Sequence, residues 1–156
     1  MVVNIIELKE REDIFENVKL SQIYAQFREL LKELKRRELP PEIIKSVNQG
    51  IEDINSSCFT GNELRKFVKQ KQTEILNLLE KELKIVPKNH YQNLWLALGM
   101  CVFGVPLGVA FGASLGNMGL LGIGIPIGLV LGIAVGLGMD KKAFKEGRQL
   151  EVEIKY

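Results

Sequence analysis

Along the first ninety residues, apolar positions recur at helical spacing among interleaved charges. Leu20, Ile23, Tyr24, Phe27, Leu30, Leu31 and Leu34 line one face of a helix predicted over about 14–38. Pro40 and Pro41 stop it, and Pro41 suits the first turn of a second helix, about 41–55. Its stripe is Ile43, Ile44, Val47, Ile51 and Ile54. A loop through Ser56, Ser57, Cys58, Thr60 and Gly61 leads into a third helix, about 61–86. There Leu64, Phe67, Val68, Ile75, Leu78, Leu79 and Glu82 trace the face, with Leu83 close by. Three amphipathic helices with short connections predict an antiparallel bundle over residues 1–90.

The pattern then changes abruptly. Between Lys88 and Asp140, 51 consecutive residues contain no Asp, Glu, Lys or Arg. From Leu94 to Met139, Ser114 and Asn117 are the only clearly polar side chains. One helix of that length would measure about 69 Å at ~1.5 Å per residue. A bilayer core about 30 Å thick needs roughly 20 residues per crossing. Two spans are therefore predicted, 94–115 and 120–139, with a turn near Asn117-Met118-Gly119, and the chain reads as a membrane protein. The fold class expected is all-α, a helical bundle joined to a two-helix transmembrane hairpin over about 91–140.

The ends of the chain add a strand signal. From 149 to 156, Leu150, Val152, Ile154 and Tyr156 alternate with Glu151, Glu153 and Lys155, and the segment Val2–Leu8 is strand-compatible. Either the two ends pair with one another, within or between subunits, or the tail 141–156 is disordered.

Charge sets the expected orientation. Lys81, Lys84 and Lys88 precede the first span; Lys141, Lys142, Lys145 and Arg148 follow the second, and the turn carries none. Under the positive-inside rule both termini are cytoplasmic. Tyr91 and Trp95 stand where interfacial aromatic anchors belong, with His90 beside them. His90 is read as an interface residue, the alternative being a pH-sensitive group at the membrane mouth. Met1–Leu8 lacks the pattern of a cleavable signal, and no early cysteine offers lipid attachment. The hairpin is thus the expected inserting element, which points to a bacterial inner membrane.

Twelve of the 15 glycines lie in the uncharged stretch. Gly104, Gly108, Gly112 and Gly116 recur every four residues, as do Gly124, Gly128, Gly132 and Gly136. A shift of twenty residues superposes them and lays Pro106 over Pro126, an inverted repeat in a hairpin. Glycine at this spacing permits close backbone approach where no hydrophobic drive draws helices together. Each glycine inside a helix costs about 1 kcal/mol relative to alanine, so the stripes demand tight packing. They can face each other within one hairpin or face neighbouring subunits. Pro106 is expected to kink its helix, as a fixed bend or as a gating hinge, whereas Pro126 fits the first turn of a later-starting helix. The two stripes resemble the glycine-zipper two-transmembrane proteins of bacteria, over about residues 91–140 only. That resemblance implies close helix packing and self-association, and no particular activity.

Chemistry is conspicuously lacking. One histidine and two cysteines 43 residues apart, Cys58 and Cys101, build neither a Cys/His zinc site nor a disulfide framework. No P-loop or HExxH motif occurs, and the G-x-G at Gly122 and Gly124 breaks at Ile127. No cofactor or metal is expected, and a formal charge of +2 gives no case for nucleic acid. The expected partners are the lipid bilayer, further copies of the chain and a cytoplasmic protein. Two functions are consistent with this pattern. One is a homo-oligomeric assembly forming a pore or perturbing the membrane under control of the cytoplasmic domain. The other is a passive anchor or scaffold that holds a cytoplasmic partner at the membrane. An enzyme is not expected.

Overall fold

A computed structural model describes residues 4–11, 14, 17–117, 119 and 121–154. Its elements are α1 (Val18–Lys35), α2 (Pro41–Ser56), α3 (Gly61–Leu83), β1 (Val86–Lys88), α4 (His90–Gly99), a π-helical turn (Met100–Gly104), α5 (Val105–Ser114), α6 (Leu121–Lys145) and β2 (Gln149–Glu153). The described residues are predominantly helical, as the fold class anticipated. The chain divides into two compact units, Met1–Val86 with Leu150–Tyr156, and Pro87–Gln149.

The first unit is a helical bundle with one core. Asn17 begins α1 by accepting the backbone N–H groups of Lys19 and Leu20, at 3.0 and 3.3 Å. All seven apolar residues of the α1 stripe are buried, Leu20, Phe27, Leu30 and Leu34 completely. Helix α2 opens at Pro41 and buries Ile43, Val47, Ile51 and Ile54, while Ile44 is half-buried. Both pack on α3. The α3 face differs from the expected one in detail: Glu82 is exposed, and Gln72 and Leu76 are buried instead.

Helix α3 ends three residues earlier than Pro87 suggested. Lys84 adopts a left-handed conformation at φ 56°, and the Ile85 N–H returns to the Leu79 carbonyl at 3.2 Å. That terminating turn frees Ile85 and Val86 to run on as extended chain, both buried.

The strand expected at 149–156 forms over Gln149–Glu153, with Leu150, Val152 and Ile154 joining the first unit's core. Its partner is not the N-terminal segment. β2 pairs in parallel with β1, a segment whose sequence pattern predicts the end of α3 and the connection after it. Residues 4–10 form no strand; Asn48 and Asn55 of α2 bond their backbone groups instead. Val2, Val3, Lys155 and Tyr156 lie outside the described residues.

In the second unit, α4, the π-turn and α5 form one continuous helix, His90–Ser114, lying against α6. Both helices are long and apolar enough to cross a membrane. At the charged end both run beyond the expected spans, the first beginning at His90 and the second continuing to Lys145, so residues 141–145 belong to α6 rather than to a separate tail.

A hairpin closed by glycine

Every buried residue described between His90 and Met139 is a glycine: Gly99, Gly104, Gly108, Gly112, Gly124, Gly128, Gly132 and Gly136. The seam between the two helices is built from backbone. A Cβ placed on Gly128 would lie 2.5 Å from the Gly104 nitrogen and 2.6 Å from the Gly99 carbonyl oxygen. One turn along, a Cβ on Gly132 would meet the Trp95 carbonyl, and one on Gly136 would stand 2.5 Å from Gln92 Cα. In the other direction a Cβ on Gly124 would come within 2.6 Å of Gly108 Cα. No side chain fits at these points, which explains why glycine recurs despite its helical cost.

The stripe on the first helix differs from the one read in the sequence. Gly116 is exposed at φ 64°, where the helix ends, with open space around it. It terminates the helix rather than packing. The fourth seam glycine is Gly99, five residues before Gly104. In a regular α-helix five residues would rotate Gly99 about 140° off the seam, at roughly 100° per residue. The π-turn accommodates the additional residue, with the Val105 N–H reaching back five residues to the Met100 carbonyl. Gly99, Gly104 and Gly108 then face α6.

The prolines find different settings. Pro106 is the second residue of α5, directly after the π-turn, and the anticipated disruption of this helix takes the form of that widened turn. Pro126 is the sixth residue of α6, so it lies inside the helix and not in its first turn. The residue whose carbonyl it deprives of a donor is Gly122, which is exposed and has no side chain to crowd the ring.

At the charged end, Asp140 is buried with 6% exposure, and its carboxylate accepts the backbone N–H groups of Tyr91 and Gln92 at 3.1 and 2.9 Å. These are N–H groups of the first turn of α4, which no residue on α4 itself caps. An acidic group there also faces the positive end of the helix dipole. The Trp95 indole N–H points to the Met139 sulfur at 3.0 Å, and His90 stands edge-on to Tyr91 at 5.1 Å between ring centres. Lys141, Lys142 and Lys145 are exposed in the last turns of α6, and Lys81, Lys84 and Lys88 are exposed at the end of α3 and in β1. Arg148, by contrast, is half-buried and paired with Glu146, whose carboxyl it holds below its usual value.

Asp140 and Gly99 are the hairpin-closing positions that the sequence pattern does not reveal. Asp140 served only to mark the boundary of the uncharged stretch. Gly99 breaks the four-residue period and aligns only through the π-turn.

The face turned away from the seam is aliphatic and aromatic, with Val102, Phe103, Val109, Phe111, Ile123, Val130 and Leu137 exposed. Among the described residues no group of three or more His, Cys, Asp or Glu could hold a metal. Cys58 and Cys101 are free thiols. Compared with protein families, curated proteins and solved structures, the chain matches none.

Proposed function

We propose that the chain is a membrane-anchored scaffold, in which the hairpin inserts into a bacterial inner membrane and the helical unit is held at the cytoplasmic surface. One observation carries this reading: both glycine stripes are occupied by each other inside a single hairpin. A hairpin closed by its own backbone presents a mostly aliphatic and aromatic surface outward, which lipid accepts. The clusters Lys81, Lys84, Lys88 and Lys141, Lys142, Lys145 flank the apolar stretch and favour a cytoplasmic position for both ends.

The test is fractionation of native membranes. The protein should remain in the membrane after alkaline carbonate washing. Protease added to inside-out vesicles should digest the first unit, while protease outside intact spheroplasts should leave it whole. Release by carbonate would overturn the reading.

An oligomeric pore is the second reading. Gly122 and Gly138 face open space away from the seam, where the backbone of another hairpin could approach. Dye efflux from liposomes holding the wild-type protein, abolished by Gly122→Leu/Gly138→Leu, would favour that assembly over a passive anchor.

A further inference from the structure

Helices α1 and α2 each pack on α3, and residues 4–10 run between them, bonded to both. On the α2 side, the Asn48 carboxamide accepts the Ile6 N–H and donates to the Asn4 carbonyl, each at 2.9 Å. Seven residues later Asn55 repeats the arrangement, accepting the Lys9 N–H at 2.9 Å and donating to the Glu7 carbonyl at 3.1 Å. Each amide therefore brackets one residue, Ile5 and Leu8, and those two side chains are the buried ones, at 8% exposure each. On the α1 side, Glu7 reaches Lys35 at 3.9 Å and Glu10 reaches Arg28 at 3.0 Å.

The periodicities match. Ile5 and Leu8 would point to opposite sides of a β-strand, whose period is two. A segment with three residues per turn puts both on one side, advancing about 9.3 Å between them at ~3.1 Å per residue. Seven helical residues advance about 10.5 Å at ~1.5 Å each. So Asn48 and Asn55, and likewise Arg28 and Lys35, stand at the right interval to read a three-residue repeat twice. The backbone is read by amides, which are indifferent to side-chain identity. Specificity is left to two aliphatic positions and two carboxylates.

We propose that this α1–α2 groove is a peptide-binding site, and that residues 4–10 are its displaceable internal occupant. The ligand is an extended segment of a partner protein, with two aliphatic residues three apart and a carboxylate two residues after each. Much of the segment is open to solvent: only Ile5 and Leu8 are well buried, and the Glu7 and Glu10 side chains are 92% and 72% exposed. Open clefts flank it, one lined by Leu31 and Lys32 and the other by Leu34, Leu39 and Ile44. Ion pairs this exposed contribute little affinity but select against an occupant of the wrong charge. This deepens the scaffold reading by naming the chemistry of the recruited partner, and rests on it only for the location.

The test uses full-length protein in detergent and a fluorescein-labelled peptide with the sequence of Asn4–Arg11, followed by anisotropy. The wild-type protein, its groove occupied, should bind weakly. Ile5→Asp/Leu8→Asp, which vacates the groove, should bind at least tenfold more tightly, and adding Asn48→Ala/Asn55→Ala should reverse that gain. If the vacated variant loses its helical circular dichroism, Leu8→Ala takes its place with the same expected order. Equal binding by occupied and vacated proteins, or tight binding insensitive to the two asparagines, would overturn the proposal. Concentration-dependent dimerisation of the wild type that Ile5→Asp/Leu8→Asp abolishes would overturn the partner assignment in favour of a second copy. Membrane release by carbonate would overturn the anchor alone, because the peptide result does not depend on the bilayer.

Discussion

Asp140 Oδ2 accepts the Gln92 N–H at 2.9 Å, so the end of one long helix caps the beginning of the other. The same carboxylate also takes the Tyr91 N–H. Beside it the seam continues through Gly136, whose added Cβ would strike Gln92. The hairpin is thus closed by a polar clamp at one end and by backbone contact along its length.

Asp140→Ala should destabilise the hairpin by about 1–3 kcal/mol, because two N–H groups lose their acceptor and a helix loses its cap. Asp140→Asn, which keeps one acceptor oxygen, should lose less. Thermal unfolding in detergent, with amide exchange at Tyr91 and Gln92, reads both effects. Unchanged exchange at these two amides in Asp140→Ala would contradict the clamp.

Gly128→Ala and Gly138→Ala should have opposite consequences. The first puts a Cβ 2.5 Å from backbone and must separate the helices. The second places it in open space, where alanine is favoured over glycine by about 1 kcal/mol in a helix interior. Paired thermal melts should show a lowered midpoint for Gly128→Ala, and an unchanged or raised one for Gly138→Ala.

In the first unit Lys71 bonds Asp53 at 2.8 Å and lies 5.5 Å from the Phe67 ring centre, joining α2 to α3. The hydrogen bond from Lys71, aided by one from Gln49, holds the Asp53 carboxyl below its usual value. A depressed carboxylate contributes stability at neutral pH that is lost as pH falls through its folded value, below 3.8. Lys71 is raised above 10.5 chiefly by Asp53, so its share is lost only as pH rises past that value. Asp53→Asn should therefore melt slightly lower than wild type at pH 7, with the difference shrinking as pH falls below 3.8. A gap that persists at the acid end would contradict the assignment.

Leu150→Ala should cost the first unit about 2–5 kcal/mol, the usual range for emptying a fully buried leucine site. Leu150 is 1% exposed within that unit's core. Urea unfolding followed by circular dichroism should show a lower midpoint. A change near zero would mean that the last strand is not part of the core.

The elements legible in the sequence were those written in local periodicity. The α1 stripe from Leu20 to Leu34 was identified residue for residue, because a helix presents every third and fourth side chain to one side. The end of α3 is not legible in the sequence, because Pro87 is a visible stop signal whereas the left-handed turn at Lys84 uses a residue with no such signature. Gln72, a polar residue buried on α3, carries no apolar signal at all.

Pairing was the part that required tertiary structure. The alternation around Leu150 identifies a strand but not its neighbour, since hydrogen-bond partners come from distant chain; β1 supplies it, and the N-terminal segment is held by Asn48 and Asn55 instead. The four-residue glycine period likewise specifies that backbones meet closely. Which glycines share the seam depended on the π-turn before Pro106, which rotates Gly99 inward, while Gly116 falls beyond the helix end. By itself the sequence determined two apolar spans, a charged helical bundle and glycine contact between helices, all consequences of short-range spacing. That the stripes close on each other within one hairpin, and that Asp140 caps the opposite helix, was decided by tertiary structure, because both depend on residues far apart in the sequence meeting in space.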